Sequence, residues 1–476
     1  MPTSAHHTHA CSNPPCASTN TRRPESKTTR AVPFFNILWA ELSAFDITVH
    51  HAHPYSKHAV RVAYINYTLE KTDRAFAHAW LERLLERAYG ASQRRKRIKV
   101  LVNPFGGQGA AQKRYIRDVE PIFAAARCEL DVERTHHSGH AVEIAEELDV
   151  DAWDVVACCS GDGVPHEVFN GLGRKPDAAR ALARVAVAQL PCGTGNAMSL
   201  NLNGTDSPSL AALCVVKGLR TPMDLVSVTQ GDRRTLSFLS QAVGIVAESD
   251  LGTENLRWMG SARFTYGFLV RLLGKTVYPC DIAVNVEIDG KAAIRESCRR
   301  YRDTGGNSSS GAAARTPRPR PERSNTPQPT GLPPLRFGSV TSPLPPSWSL
   351  IPYANLGNFY AGNMAYVAAS TPFFPASLPA DGCLDLVCID GDIPRLTALR
   401  SLLAVEKGTF FDMPHVGYRK VSAYRIVPRA PPDGRREGYV SVDGERVPFE
   451  PFQAEVHRGL GTVLSRSGRL WEAEGV

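Results

Sequence analysis

Three segments decide the fold, each running from an apolar strand into a glycine-rich turn: IKVLVNPFGGQG (98–109), DVVACCSGDG (154–163) and RVAVAQLPCGTGN (184–196). Short apolar runs bounded by Gly and Pro read as buried strands. Helical stretches lie between them: GAAQKRYIRDVEPIFAAA (109–126), GHAVEIAEEL (139–148) and VPHEVFNGL (164–172), with one more strand, CELDVERT, at 128–135. This alternation predicts a parallel sheet with helices on its faces. In a parallel sheet every strand ends on the same edge, so the three turns meet there, where ligands bind in open α/β folds.

Glycine lets a backbone come close to a ligand, and helix N-termini beside such turns offer unpaired N–H groups to phosphate oxygens. One turn of this kind is equally a simple tight turn. Three convergent turns, one carrying Asp162, predict a phosphate site. It is not a Walker loop, because no GxxxxGK[ST] occurs, and no HRD or DFG set marks a protein kinase. GGQGAAQ departs from the dinucleotide pattern GxGxxG at its last position, which disfavours NAD.

Working outward, residues 1–30 are rich in Ser, Thr, Pro and His and read as a disordered tail. Residues 31–93 form an N-terminal extension: strands in FFNILWAELSAFDITVH (34–50) and HAVRVAYINYTLEK (58–71), then a helix in TDRAFAHAWLERLLERAYG. Thr72 or Asp73 suits its N-cap, Gly90 its stop, and Phe76, Trp80, Leu84 and Leu85 its buried face. RRKR (94–97) reads as a solvated strand start. The α/β nucleotide-binding catalytic domain spans 94–222. Beyond it the texture changes to strands with turns between, including RTLSFLSQAVGIVAESDL, DIAVNVEIDG, CLDLVCIDGD, KVSAYRIVPR and EGYVSVDGERV, so 223–476 reads as a mainly β domain in two sheets or a barrel. Helices are expected at 259–276 and 394–408. The segment 299–346, with ten Pro and eight Arg, reads as a disordered insertion.

The chain has 476 residues and a net charge of +8. The 299–346 segment holds +6 and the first thirty residues +3, leaving the folded body near neutral. A nucleic-acid binder needs a basic face on its fold, so that class is set aside. No apolar run is long enough for a membrane span, and the N-terminus lacks a signal-peptide core. The eleven cysteines show no CxxC pair, and Cys158 and Cys159 are adjacent, which suits reduced thiols in the cytoplasm. No metal-ligand set is read from the His and Cys spacings.

LVNPFGGQGAAQK, SGDGVPHEVFNGL and LPCGTGNAMSLNL, in that order, resemble the diacylglycerol-kinase-type catalytic domain of lipid kinases. TPMDLVSV, SFLSQAVGIVAESDLGTENLRWMGSARFTYG and VSVDGERV narrow the resemblance to sphingosine (long-chain-base) kinases, and NILWAEL is similar to fungal and plant members. The resemblance covers about 34–298 and 347–465. It implies an N-terminal parallel-sheet α/β nucleotide domain followed by a β-sandwich lipid domain, with the active site between them. The implied activity is ATP-dependent phosphorylation of the primary hydroxyl of a sphingoid base. Ceramide or diacylglycerol kinases, and a non-catalytic lipid-binding scaffold, are the alternatives.

Carried over by position, Asp162 matches the family's catalytic base; from the residues alone, an Asp between two glycines also suits a turn cap. Asn103, Pro104 and Phe105 match the first nucleotide-contacting turn and Gly193, Thr194 and Gly195 the second. Ser160, Gly161 and Gly163 flank the base on the substrate side. Glu167 matches a nucleotide-side acid. Thr135 to Gly139 sits where the family has another ATP-contacting loop, here the His-rich THHSG. Arg257 and Arg263 match arginines that reach the ATP phosphates. Asp443, Gly444 and Glu445 match a late segment returning to the nucleotide, although Asp-Gly between strands is also a plain hairpin turn. Asp250 matches the acid that pairs with the amino group of a long-chain base, with Glu248 two residues earlier as its alternative. Phe264, Phe268, Leu272, Phe373 and Phe374 are candidates for the lipid-tail pocket. Mg²⁺ is expected to arrive with ATP, and contact with the membrane surface to be peripheral. No oligomeric state is implied.

Overall fold

The computed structural model describes residues 31–69, 74–106, 109–251, 276–304, 331–369, 371–429 and 438–476. The N-terminal extension forms a separate antiparallel sheet of β1 (Ile37–Leu42), β2 (Asp46–Ser56) and β3 (Ala59–Thr68). Helix α1 (Arg74–Tyr89) follows and stops at Gly90, whose φ of 53° suits glycine. Its buried face is Ala77, Leu81, Leu85 and Ala88, one position on from the expected stripe; Phe76 is 68% exposed and Trp80 38%. The aromatics misled because burial follows the i, i+4 row that meets the sheet, not side-chain size.

Strands β4 (Arg97–Val102), β5 (Glu129–Arg134), β6 (Val155–Ser160) and β7 (Ala186–Pro191) pair in parallel in the order β5-β4-β6-β7. Their side chains alternate between two cores, as the strand period of two requires. Val100, Val102, Ala157 and Cys159 pack with Leu38, Leu85 and Phe123, so the N-terminal extension covers this face. Leu101, Val156, Cys158 and Val187 pack on the other side with Val168, Phe169 and Leu202. Each fully buried Val or Leu contributes about 1.5–3 kcal/mol.

The helix expected at 109–126 is present but interrupted: α2 (Ala111–Arg114), a wide turn over Tyr115–Val119, then α3 (Glu120–Ala125). Pro121 has no N–H to continue the regular ladder, and the chain widens into a π turn just before it. Helices α4 (His140–Glu147) and α5 (Gly163–Arg174) match expectation. Helices α6 (Ala178–Arg184), α7 (Ala197–Asn203) and α8 (Pro208–Lys217) are further elements. The RRKR run is not simply solvated. Lys96 is 2% exposed, and its Nζ donates to Ser92 Oγ at 2.9 Å and to the Gln93 and Val216 carbonyls at 2.9 and 2.6 Å.

The rest of the chain is sheet-rich: β8 (Leu219–Gln230), β9 (Arg233–Ser237), β10 (Ser240–Gly244), β11 (Cys280–Asp289), β12 (Ile351–Tyr353), β13 (Leu356–Gly362), β14 (Leu384–Asp390), β15 (Gly417–Pro428), β16 (Val440–Val442), β17 (Glu445–Val447) and β18 (Phe452–Ser465). Side chains from β8, β10, β11, β13, β14, β15, β16 and β18 meet in one apolar core. The two halves are not separate sheets. The final strand β18 pairs with β8 and touches β7 in parallel at Val463↔Val187, joining both halves into one 15-stranded sheet.

Two expectations are corrected. IVAESDL is not strand but helix α9 (Ile245–Leu251). The segment 299–346 is ordered on both flanks: a helix over Lys291–Thr304 runs into it, and 331–346 packs on β15 and β18. There Arg336 and Phe337 N–H donate to Glu455 at 2.8 and 2.9 Å, and Arg425 donates to the carbonyls of Ser339 and Ser342. The charged partners Glu455 and Arg425 lie outside the segment, so its own composition could not reveal them. Residues 305–330, and the helix expected at 259–276, lie outside the described residues.

Candidate active site

The turns after β6 and β7 touch backbone to backbone. A Cβ on Gly193 would lie 2.3 Å from Gly161 Cα, and one on Gly161 would lie 2.9 Å from the Gly195 carbonyl oxygen. Glycine is required at this contact for space. Asn196 stiffens the second turn, accepting the Gly193 N–H and donating to the Gly193 carbonyl, both at 3.1 Å. Among the described residues no acceptor meets the Thr194 or Gly195 N–H, which leaves two donors for a ligand. Beneath the turns, the free thiols of Cys159 and Cys192 lie 3.2 Å apart.

Asp162 sits between the turns, half-buried, at the start of α5. Its Oδ2 accepts the Ala197 N–H at 2.9 Å; its Oδ1 accepts the Met198 N–H at 3.0 Å and Gln189 Nε2 at 3.1 Å. The carboxylate therefore caps α7, the helix that follows GTGN. Burial raises its pKa, and these donors pull it back only in part. Oδ2 keeps a lone pair, so capping and proton acceptance are compatible.

Glu167 and Asp443 are engaged within the fold. Glu167 accepts the Gly139 and Ala141 N–H groups, both at 3.0 Å, and so caps α4. Asp443, with Gly444, forms the two-residue turn between β16 and β17, both at positive φ (53° and 86°). Its buried carboxylate accepts His166 Nδ1 at 2.8 Å, Ser237 Oγ at 2.6 Å and the N–H groups of Phe238, Leu239 and Ser240 at 2.9 Å. Burial pushes its pKa up, but the hydrogen bond and charge of His166 and the other donors hold it below the ordinary range. These five donors leave the Asp443 carboxylate little capacity for a nucleotide. Glu445 differs: it is exposed, with Oε1 3.3 Å from the Cβ position of Gly163. A cavity of 260 Å³ lies beside it, lined by Ser138, Gly139, His166, Glu167, Arg234 and Glu445 among others.

Other expected residues are placed as follows. Asn103 Oδ1 accepts the Phe105 N–H at 3.0 Å, turning the chain through Pro104; Phe105 is 74% exposed. Ser160 is buried, its hydroxyl donating to the Gly161 carbonyl at 2.8 Å, and Thr135 is buried at the end of β5. Gly139 has φ 86° and Thr194 is exposed. Asp250 lies in the last turn of α9, and Glu248, two residues earlier, accepts the Tyr278 hydroxyl. Phe373 and Phe374 are buried in a cluster with Tyr360 and Phe410. Arg257, Arg263, Phe264, Phe268 and Leu272 lie outside the described residues.

Sequence reading missed three groups. His166, four residues after Asp162, holds Asp443. Gln189 lies on the strand before GTGN and steadies Asp162. His137, just before α4, gathers with His140 and Glu143 of its first turn, although no metal-ligand set was expected; the i, i+3, i+6 spacing in HSGHAVE was the available signal.

The diacylglycerol kinase catalytic domain profile matches residues 97–228, and a domain of unknown function (DUF7493) matches residues 3–90. Sphingoid long chain base kinase 5 of Saccharomyces cerevisiae is 36% identical over 83% of this chain, which spans 63% of that protein's length. Sphingoid long chain base kinase 4 of Schizosaccharomyces pombe is 33% identical, covering 91% of this chain and 88% of the relative. Human sphingosine kinase 1 is 30% identical over 79% of this chain and 92% of its own. The solved structure of a Bacillus anthracis protein assigned to the diacylglycerol kinases matches with TM-score 0.50 and 17% identity, over 79% of this chain and 98% of that one, a likeness of fold alone. With the glycine turns joined around Asp162 and kinship along nearly the whole of the fission-yeast protein, the chain belongs to the sphingosine (sphingoid long-chain-base) kinase family of lipid kinases.

Proposed function

We propose that this protein transfers the γ-phosphoryl group of ATP to the primary hydroxyl of sphingoid long-chain bases. The observation that carries the reading is the Gly161–Gly193 contact, which puts Asp162 between the two turns that a phosphate donor would occupy. In the step proposed, the alcohol oxygen forms a bond to the γ-phosphorus, the bond from phosphorus to the ADP oxygen breaks, and the alcohol proton passes to Asp162 Oδ2. The raised pKa of Asp162 suits a proton acceptor. The Thr194 and Gly195 N–H groups suit phosphate oxygens. Mg²⁺ bound to ATP would supply charge neutralisation, and exposed Glu445, next to Gly163, fits a hard oxygen ligand for it better than the fully hydrogen-bonded Asp443.

Asp250 is proposed to pair with the ammonium of the base, which selects an amino alcohol over neutral diacylglycerol. The Tyr278 hydroxyl already bonds Glu248, which favours Asp250 for this role. We further propose a cytoplasmic protein in peripheral, reversible contact with membranes. The neighbouring thiols of Cys159 and Cys192 suit a reducing compartment, and no helix among the described residues is long and apolar enough to cross a membrane.

The test is a radiolabelled ATP transfer assay offering sphingosine, phytosphingosine, ceramide and diacylglycerol in parallel. Label on the free bases only, with Asp250→Asn losing that preference, supports the proposal. Label on ceramide or diacylglycerol overturns the substrate assignment. No label anywhere, from folded protein that binds ATP, favours a lipid-binding scaffold.

A further inference from the structure

Away from Asp162, the start of α4 gathers side chains of metal-ligand type. His137, His140 and Glu143 each place one ligand atom within 4.8 Å of the others. His137 Nε2 is 3.7 Å from Glu143 Oε2, and the His137 and His140 ring centroids are 4.9 Å apart. His140 and Glu143 are neighbours one turn apart on the helix, and the left-handed Gly139 brings His137 back beside them.

The hydrogen bonding of His137 supports ligation. Its Nδ1 lies 3.1 Å from the Ser138 carbonyl oxygen, an acceptor only, so Nδ1 is the donor there and Nε2, 3.7 Å from Glu143 Oε2, is the nitrogen a metal would take in the neutral ring. Ligating histidines are commonly oriented by such a bond from the far ring nitrogen. His140 Nδ1 accepts the His136 N–H at 3.2 Å, a bond that ligation through Nδ1 would replace. The His136 ring lies 5.3 Å from that of His140. A helix N-terminus disfavours a cation, but the Glu167 carboxylate on the Gly139 and Ala141 N–H groups offsets this.

We propose that His137, His140 and Glu143 form a site for a first-row transition-metal dication of the Zn²⁺ class, with water or His136 in the fourth position. Two imidazoles and a carboxylate suit such ions and not Mg²⁺, so the site is separate from any metal that accompanies ATP. Bonds of about 2.0–2.1 Å would draw the three ligand atoms to about 3.4 Å from one another, a small closure in which His137 and Glu143 are exposed and His140 half-buried. A bound ion would fix Ser138 and Gly139, which line the cavity beside Glu445.

The experiment titrates the full-length protein with Zn²⁺ against a chromophoric chelator, and with Co²⁺ followed by its visible absorption. His137→Ala and Glu143→Gln are compared with wild type and with His78→Ala, a change at an exposed histidine on α1. The N-terminal HHTH (6–9) is intact in all four proteins, so its contribution cancels. Each site variant, folded as judged by circular dichroism, is expected to weaken one equivalent of Zn²⁺ at least about tenfold and to reduce the Co²⁺ band, while His78→Ala changes neither. Equal Zn²⁺ stoichiometry and affinity in wild type and both site variants would overturn the proposal.

Discussion

Asp162 and Ala197, thirty-five residues apart, are joined by a 2.9 Å hydrogen bond from the Ala197 N–H to Oδ2. The bond ties the start of α5 to the start of α7, so the SGDG and GTGN turns are held as one unit. The same oxygen is the one left with a free lone pair. Stability and the proposed proton transfer therefore depend on a single carboxylate, and the two roles need variants that separate them.

Asp162→Asn keeps one acceptor oxygen but turns an NH₂ group toward a backbone N–H or Gln189. We expect a stability loss of about 1–2 kcal/mol from the weakened cap, with transfer activity falling by about 10²-fold or more. Gln189→Met removes a donor to Oδ1 and the acceptor of the Ser199 N–H in α7, and leaves Oδ2 untouched. Denaturant melts and the transfer assay run on both variants separate the roles. If Gln189→Met loses as much activity as Asp162→Asn at similar stability, Asp162 acts only as a cap.

The glycines of the second turn should differ from each other. A methyl group on Gly193 meets backbone atoms of Gly161 at 2.3 and 2.4 Å, which cannot move without parting the strands. Gly193→Ala should lower the thermal midpoint by several degrees. A methyl group on Gly195 meets Asp162 Oδ2 at 3.2 Å, the far end of a side chain. Gly195→Ala should retain most of the stability and lose activity by crowding the proposed base. Equal melting temperatures for the two variants would show that the Gly161 contact is not as tight as described.

The His166–Asp443 pair sets opposite pH limits. Asp443 has its pKa lowered in the fold, so its contribution is present above the ordinary carboxylate range and is lost as pH falls through the folded value. Burial works against protonated His166, but the hydrogen bond and charge of Asp443 raise its pKa, so its contribution is complete below about pH 6.5 and fades as pH rises through the raised value. Urea midpoints measured across pH should show His166→Gln removing the loss on the alkaline side. Asp443→Asn should cost about 3–5 kcal/mol, since it leaves buried donors unmatched. A loss below about 1 kcal/mol would contradict the five-donor arrangement.

The parallel sheet was legible because its strands are continuous apolar runs ending in glycine turns, a local signal. The Asp-Gly hairpin at 443–444 was legible for the same reason. What Asp443 does was not: its donors are His166, 277 residues earlier, and the 237–240 turn, about two hundred residues earlier. Likewise Glu167 looks like an ordinary first-turn acid until α4 is placed beside it. IVAESDL was misread as strand because a seven-residue helix carries too few turns to show a period. The union of both halves through β18 also rests on a long-range pairing, Val463 with Val187, that no local pattern encodes.

Lys217 offers a test of how the N-terminal extension is attached. Its Nζ donates to the carbonyl oxygens of Ile37 and, at 3.0 Å, Ala88, and lies 3.6 Å from the centre of the Tyr89 ring. Burial, with Lys96 and Arg94 nearby, lowers its pKa to about 7. Between pH 7 and the ordinary lysine range the unfolded chain binds a proton that the folded chain does not. Stability should therefore rise with pH across this window, by up to about 1.4 kcal/mol per pH unit from this group. Lys96, lowered to about 8 by burial, acts in the same direction above its own value. Lys217→Met should remove the Lys217 part of the slope, leaving the variant relatively more stable near pH 7 than near pH 9. Urea midpoints of both proteins at half-unit steps from pH 6 to 9 read this directly. Parallel profiles would mean that the ammonium stays charged, held by the two carbonyls and the Tyr89 ring.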